Sequence, residues 1–168
     1  MRILLSVIGS LLVLSSAAHA AGSDVAIYAG KFGLFQDSKN RSLPTSKLSS
    51  NMVGVEYRFK DQYNGLRPTV GAFANTDGGV YGYGGAYWDL PLNTAPFVIS
   101  PGFAIGAYNQ GSSKDLGSVL EFRSTMEVSY KMDSGQRFGL QFSHLSNAGL
   151  GSTNLGVETW QLMYSHPF

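Results

Sequence analysis

Val119-Leu120-Glu121-Phe122-Arg123-Ser124-Thr125-Met126-Glu127-Val128-Ser129-Tyr130 is the stretch on which the reading of this sequence turns. Leu120, Phe122, Met126, Val128 and Tyr130 share one parity, with Ser124 the single polar interruption. Glu121, Arg123, Thr125, Glu127 and Ser129 share the other. Successive side chains of a strand point to opposite faces, so this is a strand with one apolar and one charged face. Half-buried soluble strands also alternate, but rarely set Glu, Arg and Glu at successive positions of one face over such a length. A strand in a membrane barrel does so readily, because the barrel's interior is polar and its exterior meets lipid.

The same pattern recurs along the chain. In 52–59, Val53, Val55, Tyr57 and Phe59 fall on one face, and Gly54, Glu56 and Arg58 on the other. Eight segments alternate in this way: 25–35, 51–59, 66–75, 80–90, 97–108, 119–130, 136–146 and 157–168. Most match the ~9–11 residues that a tilted strand needs to cross a bilayer. Short turns at 60–65, 91–96 and 131–135 alternate with longer loops at 36–50, 109–117 and 147–156, the four-residue connection 76–79 being the exception. The fold class predicted is all-β, an eight-stranded antiparallel transmembrane β-barrel with its longer loops extracellular. Eight strands enclose an interior that side chains fill. That interior would hold Glu56, Glu121 and Glu127 with Arg58, Arg67, Arg123 and Arg137, and Glu121, Arg123 and Glu127 are expected to pair within it.

The two ends support an exported chain. Arg2, the apolar run Ile3–Leu14 and the small-x-small site Ala18-His19-Ala20 read as a signal peptide over 1–20, leaving a single domain over 21–168. Trp160, Leu162, Tyr164, His166 and Phe168 share one face and close on a terminal Phe. That pattern resembles the C-terminal signature of outer-membrane barrels and implies a Gram-negative source. The sequence contains no cysteine, which excludes disulfides and thiolate chemistry. A formal charge of +1 with no basic stripe argues against nucleic acid as a partner. No metal-ligand spacing is present. Gly82, Gly84 and Gly85 form no phosphate loop, since no helix follows them.

Chemistry concentrates in the last quarter. By parity with Phe138, Leu140 and Phe142, the side chains of His144 and Ser146 belong to the lipid face. Glu158 shares its parity with Trp160, Leu162 and Tyr164, again the lipid face. If the hairpin register sets His144 opposite Glu158, their Cβ atoms would be about 5 Å apart. A serine hydroxyl needs an adjacent base, and that base needs a third group to orient it. Each residue alone has an ordinary explanation as a snorkelling, loop or solvated side chain. Their joint parity on a lipid-facing wall, where ionisable groups are costly, is what calls for a function. His166 lacks an acidic partner in sequence and reads as interfacial.

His144-Leu145-Ser146-Asn147, then Asn154, then Glu158, resembles the His-x-Ser-Asn…Asn…Glu motif of PagL-type lipid A 3-O-deacylases. The resemblance extends to the leader, the strand count and the terminal Phe. It implies an outer-membrane serine esterase that acts on lipid A of lipopolysaccharide and needs no cofactor. It further implies Ser146 as nucleophile, His144 as base and Glu158 as its orienter. Asn147 and its neighbours would supply oxyanion donors, and Asn154 would support the loop. The 3-position follows from the resemblance alone. A lipid A acyltransferase and a non-catalytic adhesin-like barrel are the competing readings, and a homodimer is left open.

Overall fold

In a bilayer, alternating strands satisfy every backbone hydrogen bond only by closing on themselves. The computed structural model describes residues 22–33 and 49–168. Among these the strands are β1 (Asp24–Phe32), β2 (Ser50–Arg58), β3 (Leu66–Asn75), β4 (Val80–Trp88), β5 (Phe97–Asn109), β6 (Leu120–Lys131), β7 (Arg137–Ser146) and β8 (Val157–Pro167). Beyond Asp89, Leu90–Pro91 continue the β4 ladder in register, with Leu90 opposite Ile99 and Pro91 opposite Val98. Each strand pairs antiparallel with its neighbours in sequence, and β1 pairs with β8 to close the barrel. The eight-stranded antiparallel barrel read from sequence is therefore the fold. β1 runs to Phe32 and Gly33 follows with a positive φ of 79°, while 34–35, which the sequence reading included in this strand, lie outside the described residues. The leader 1–20 and most of the 36–50 loop lie outside the described residues.

The outer wall is apolar throughout its middle, with Ile27, Val53, Val70, Ile105, Val128, Leu140 and Leu162 all exposed. An exposed apolar surface of that extent would drive association in water, whereas in a bilayer it is the wetted face. At the short-turn end, register lines up Phe97, Tyr130, Phe138 and Tyr164 across β5, β6, β7 and β8. This is half of an aromatic girdle, the belt that sits at a membrane–water boundary.

Inside, the side chains are layered along the axis. Phe32, Met52, Phe73, Tyr81, Tyr108, Leu116 and Leu145 fill the long-loop end. The abundance of Gly and Tyr has a direct cause here. The ring of Tyr28 occupies the space a Cβ would take at Gly54, its cross-strand partner, and Tyr83 does the same at Gly71. Narrow barrels accommodate inward aromatics by leaving the neighbouring strand bare beneath them. At the short-turn end Arg67 bonds Asp24 at 2.6 Å, and Arg137 bonds Asp89 at 2.7 Å.

The middle layer is ionic, as expected, but its pairing differs from the sequence reading. Glu121, Arg123 and Glu127 do not pair with one another. Arg58 on β2 takes Glu127 through two hydrogen bonds of 3.0 and 2.6 Å, and Glu56 through Nε at 2.6 Å. Arg123 lies 3.8 Å from Glu56 and bonds Gln141 and Ser143. Neither carboxylate oxygen of Glu121 has a hydrogen-bond partner among the described residues. The reason is geometric. Arg58 reaches both Glu56, two along on its own strand, and Glu127 across the narrow lumen, which takes up an acidic partner that Arg123 could have had on β6.

Candidate active site

β7 and β8 meet at the long-loop end, and their register places His144 directly opposite Glu158. His144 Nδ1 and Glu158 Oε1 are 3.2 Å apart on the outer wall, with side-chain exposures of 44% and 29%. The ring and carboxylate are thus half-buried, clear of the ionic lumen. Leu145 between His144 and Ser146 is fully buried, which confirms that both flanking residues point outward. Ser146 stands across from Phe122 of β6, and Phe122 stacks on Phe103 of β5 at 6.0 Å. No hydrogen bond joins the Ser146 hydroxyl to the ring among the described residues. Such contacts are often loose without substrate and tighten in the reactive complex.

The connection 147–156 folds back tightly. Leu150 N–H donates to the Asn147 carbonyl at 3.0 Å, with Ala148 and Gly149 between them at φ of 56° and 80°. Two left-handed central residues define a type I′ turn, the tight connection that favours Asn-Gly. Asn147 is fully buried and ties this turn down. Its Nδ2 donates to the carbonyls of Leu116 (2.8 Å) and Thr153 (2.7 Å), and its Oδ1 accepts from Gly149 N–H at 2.9 Å. Its own N–H donates to Asn154 Oδ1 at 3.3 Å. Ala148 N–H, the next along, makes no hydrogen bond among the described residues.

Ala148 carries the one non-glycine left-handed conformation in this loop, a conformation that costs about 1–2 kcal/mol for an ordinary L-residue. Asn tolerates it through local hydrogen bonding. Ala148→Asn is therefore expected to stabilise the barrel by up to about 1 kcal/mol. Urea unfolding in lipid vesicles would read this, and a lowered midpoint would show that the turn does not need the left-handed residue at this point.

The structure also brings in residues that the sequence reading did not assign to the site. Ser124 lies opposite His144 on its other flank, in the register of β6 and β7. Its signal was visible as the single polar break in the apolar face of 119–130. Gly156 packs on the imidazole so closely that a Cβ there would come within 2.9 Å of His144 Cε1 and 3.4 Å of Nε2. Lys114, from the β5–β6 loop, donates to the Gly156 carbonyl at 2.6 Å. Nothing local to 110–118 signals that contact. His166 lies at the opposite end, 3.5 Å from Gln136 and edge-on to Phe168.

The class defined by fold and site is a closed membrane barrel with a histidine–carboxylate pair and a serine on its lipid-facing wall. The family model described as Lipid A 3-O-deacylase (PagL) matches residues 51–167. The chain belongs to that family. A segment of 74 residues is 35% identical to the lipid A deacylase PagL of Pseudomonas aeruginosa, covering 43% of this chain and 42% of that protein. The lipid A deacylase PagL of Bordetella bronchiseptica is 31% identical over 74 residues, with the same coverage of 43% and 42%. The match thus spans less than half the length of these curated relatives. Among solved structures, that of the outer membrane enzyme PagL superimposes with a TM-score of 0.61 at 21% identity, over 86% of this chain and 99% of the other. Neisserial surface protein A gives 0.53 at 12% identity, over 87% and 95%. These two likenesses concern the fold.

Proposed function

We propose that the protein is an outer-membrane lipid A 3-O-deacylase using Ser146, His144 and Glu158. The observation that carries this reading is the 3.2 Å His144–Glu158 contact on the membrane-facing wall. A carboxylate accepting from Nδ1–H leaves Nε2 as the basic nitrogen and stabilises the imidazolium that forms when it takes a proton. Membership of a family described as Lipid A 3-O-deacylase supports the substrate class and the 3-position in this reading.

The chemistry is a two-step acyl transfer. Lipid A lies in the outer leaflet with its acyl chains against the barrel, so the ester reaches the wall laterally. His144 Nε2 takes the Ser146 proton as Oγ attacks the ester carbonyl. The tetrahedral oxyanion is held by N–H groups after Ser146: that of Ala148, and that of Asn147 if it leaves Asn154. One such donor is commonly worth about 10²–10³ in rate. The imidazolium then protonates the departing sugar hydroxyl, and water, activated by the same ring, releases a hydroxy fatty acid.

The test is mass spectrometry of lipid A from cells with and without the protein. A lost hydroxyacyl chain, assigned to the 3-position by fragmentation, is the expected outcome. A gained chain would indicate acyl transfer to lipid A, and an unchanged spectrum a non-catalytic barrel. Sedimentation in detergent distinguishes monomer from homodimer.

A further inference from the structure

We propose that Lys114 is a positioning residue for His144, acting through Gly156; this rests on the deacylase reading above. Its Nζ donates to the Gly156 carbonyl at 2.6 Å, and Gly156 is the residue whose backbone abuts the imidazole. A ring hydrogen-bonded at Nδ1 alone among the described residues, at 3.2 Å, can still pivot about its χ angles. The Gly156 backbone is the wall that limits this pivot on the Cε1–Nε2 edge, the edge that must face Ser146.

The loop that carries Lys114 is built to hold the ammonium in place. Ser113 accepts from Asn75 Nδ2 at 2.9 Å, and the Lys114 carbonyl accepts from the Tyr108 hydroxyl at 3.0 Å. Leu116 is fully buried at the top of the lumen, and its carbonyl accepts from Asn147. Three tethers within four residues fix this loop to β3, β5 and the turn after Ser146. These three tethers are independent of the Lys114 side chain, and the barrel is closed by its ladders. The side chain places a charge-assisted bond, stronger than a neutral one, on the carbonyl of the residue touching the base.

The experiment compares Lys114→Met, which keeps the aliphatic stem, with Lys114→Arg, which keeps a cationic donor. Purified variants are assayed on lipid A in mixed micelles, with Ser146→Ala as the reference for the underlying reading. Lys114→Met should lower kcat by about 10–100-fold, the scale of a misplaced catalytic group, with KM little changed. Lys114→Arg should recover most of that loss. In parallel, ¹³Cε1-histidine labelling gives few resonances, since the sequence holds only His19, His144 and His166. The His144 signal should move or broaden in Lys114→Met while that of His166 stays. An unmoved His144 signal overturns the proposal whether or not the protein is active. So does a raised KM at unchanged kcat, which would make Lys114 a contact for an anionic headgroup. Activity retained in Ser146→Ala would instead defeat the serine-esterase reading, while the resonance test of Lys114 would still stand.

Discussion

Ser146→Ala and His144→Ala should each reduce deacylation by about 10⁴-fold or more while the protein still folds and inserts. Each removes a group that enters the bond-making step. Neither side chain takes part in the lumen network, so heat-modifiable migration on gels should survive in both. Members of such a set act as a unit, so the double variant at 144 and 146 should be scarcely worse than either single one. Glu158→Ala should be the mildest of the three. It orients the ring and stabilises the imidazolium, and the Gly156 wall still confines the ring without it. The fold sharpens this test by placing Ser124 on the other flank of His144. Ser124→Ala should retain most of the activity, as should His166→Ala at the far end of the barrel. Release of hydroxy fatty acid at the parent rate by Ser146→Ala, together with its loss in Ser124→Ala, would transfer the nucleophile's role to β6.

The pair at the centre of that test could be read in the sequence because parity fixes a face. His144 and Glu158 share the parity of Phe142 and Trp160, and a single loop of ten residues between them makes their strands hairpin partners. Antiparallel register then leaves few alternatives, and 144 opposite 158 is the one adopted. Parity says nothing, however, about which residue is met across a lumen or over a loop. Arg58 and Glu127 are 69 residues apart, and Lys114 and Gly156 are 42 apart. Such contacts depend on barrel curvature and on how side chains share a confined space. For the same reason the sequence identified Glu121, Arg123 and Glu127 as interior but misjudged their partners. Gly156 was hidden for a different reason. A glycine at the end of a loop reads as an ordinary turn residue, and only the imidazole beside it gives it another role.

Those lumen partners set the second large effect. Glu127→Ala is expected to destabilise the barrel by about 3–5 kcal/mol, because it leaves a buried guanidinium short of its bidentate acceptor. Arg58 and Glu127 are both fully buried, and Arg58 also lies over the Tyr87 ring with its Cζ 4.4 Å from the centroid. The central layer couples two carboxylates, Glu56 and Glu127, to two guanidiniums, Arg58 and Arg123. Removing one carboxylate leaves two fully buried cations sharing Glu56. Removing Arg58 as well restores the balance, since Glu56 and Arg123 remain as a pair. The double variant Arg58→Met, Glu127→Leu should therefore be more stable than Glu127→Ala, even though it discards more hydrogen bonds. Urea titration in lipid vesicles, followed by the emission of Trp88 and Trp160, would measure both. A Glu127→Ala barrel within about 0.5 kcal/mol of the parent would mean that water reaches Arg58 and that the interior is not a closed ionic core.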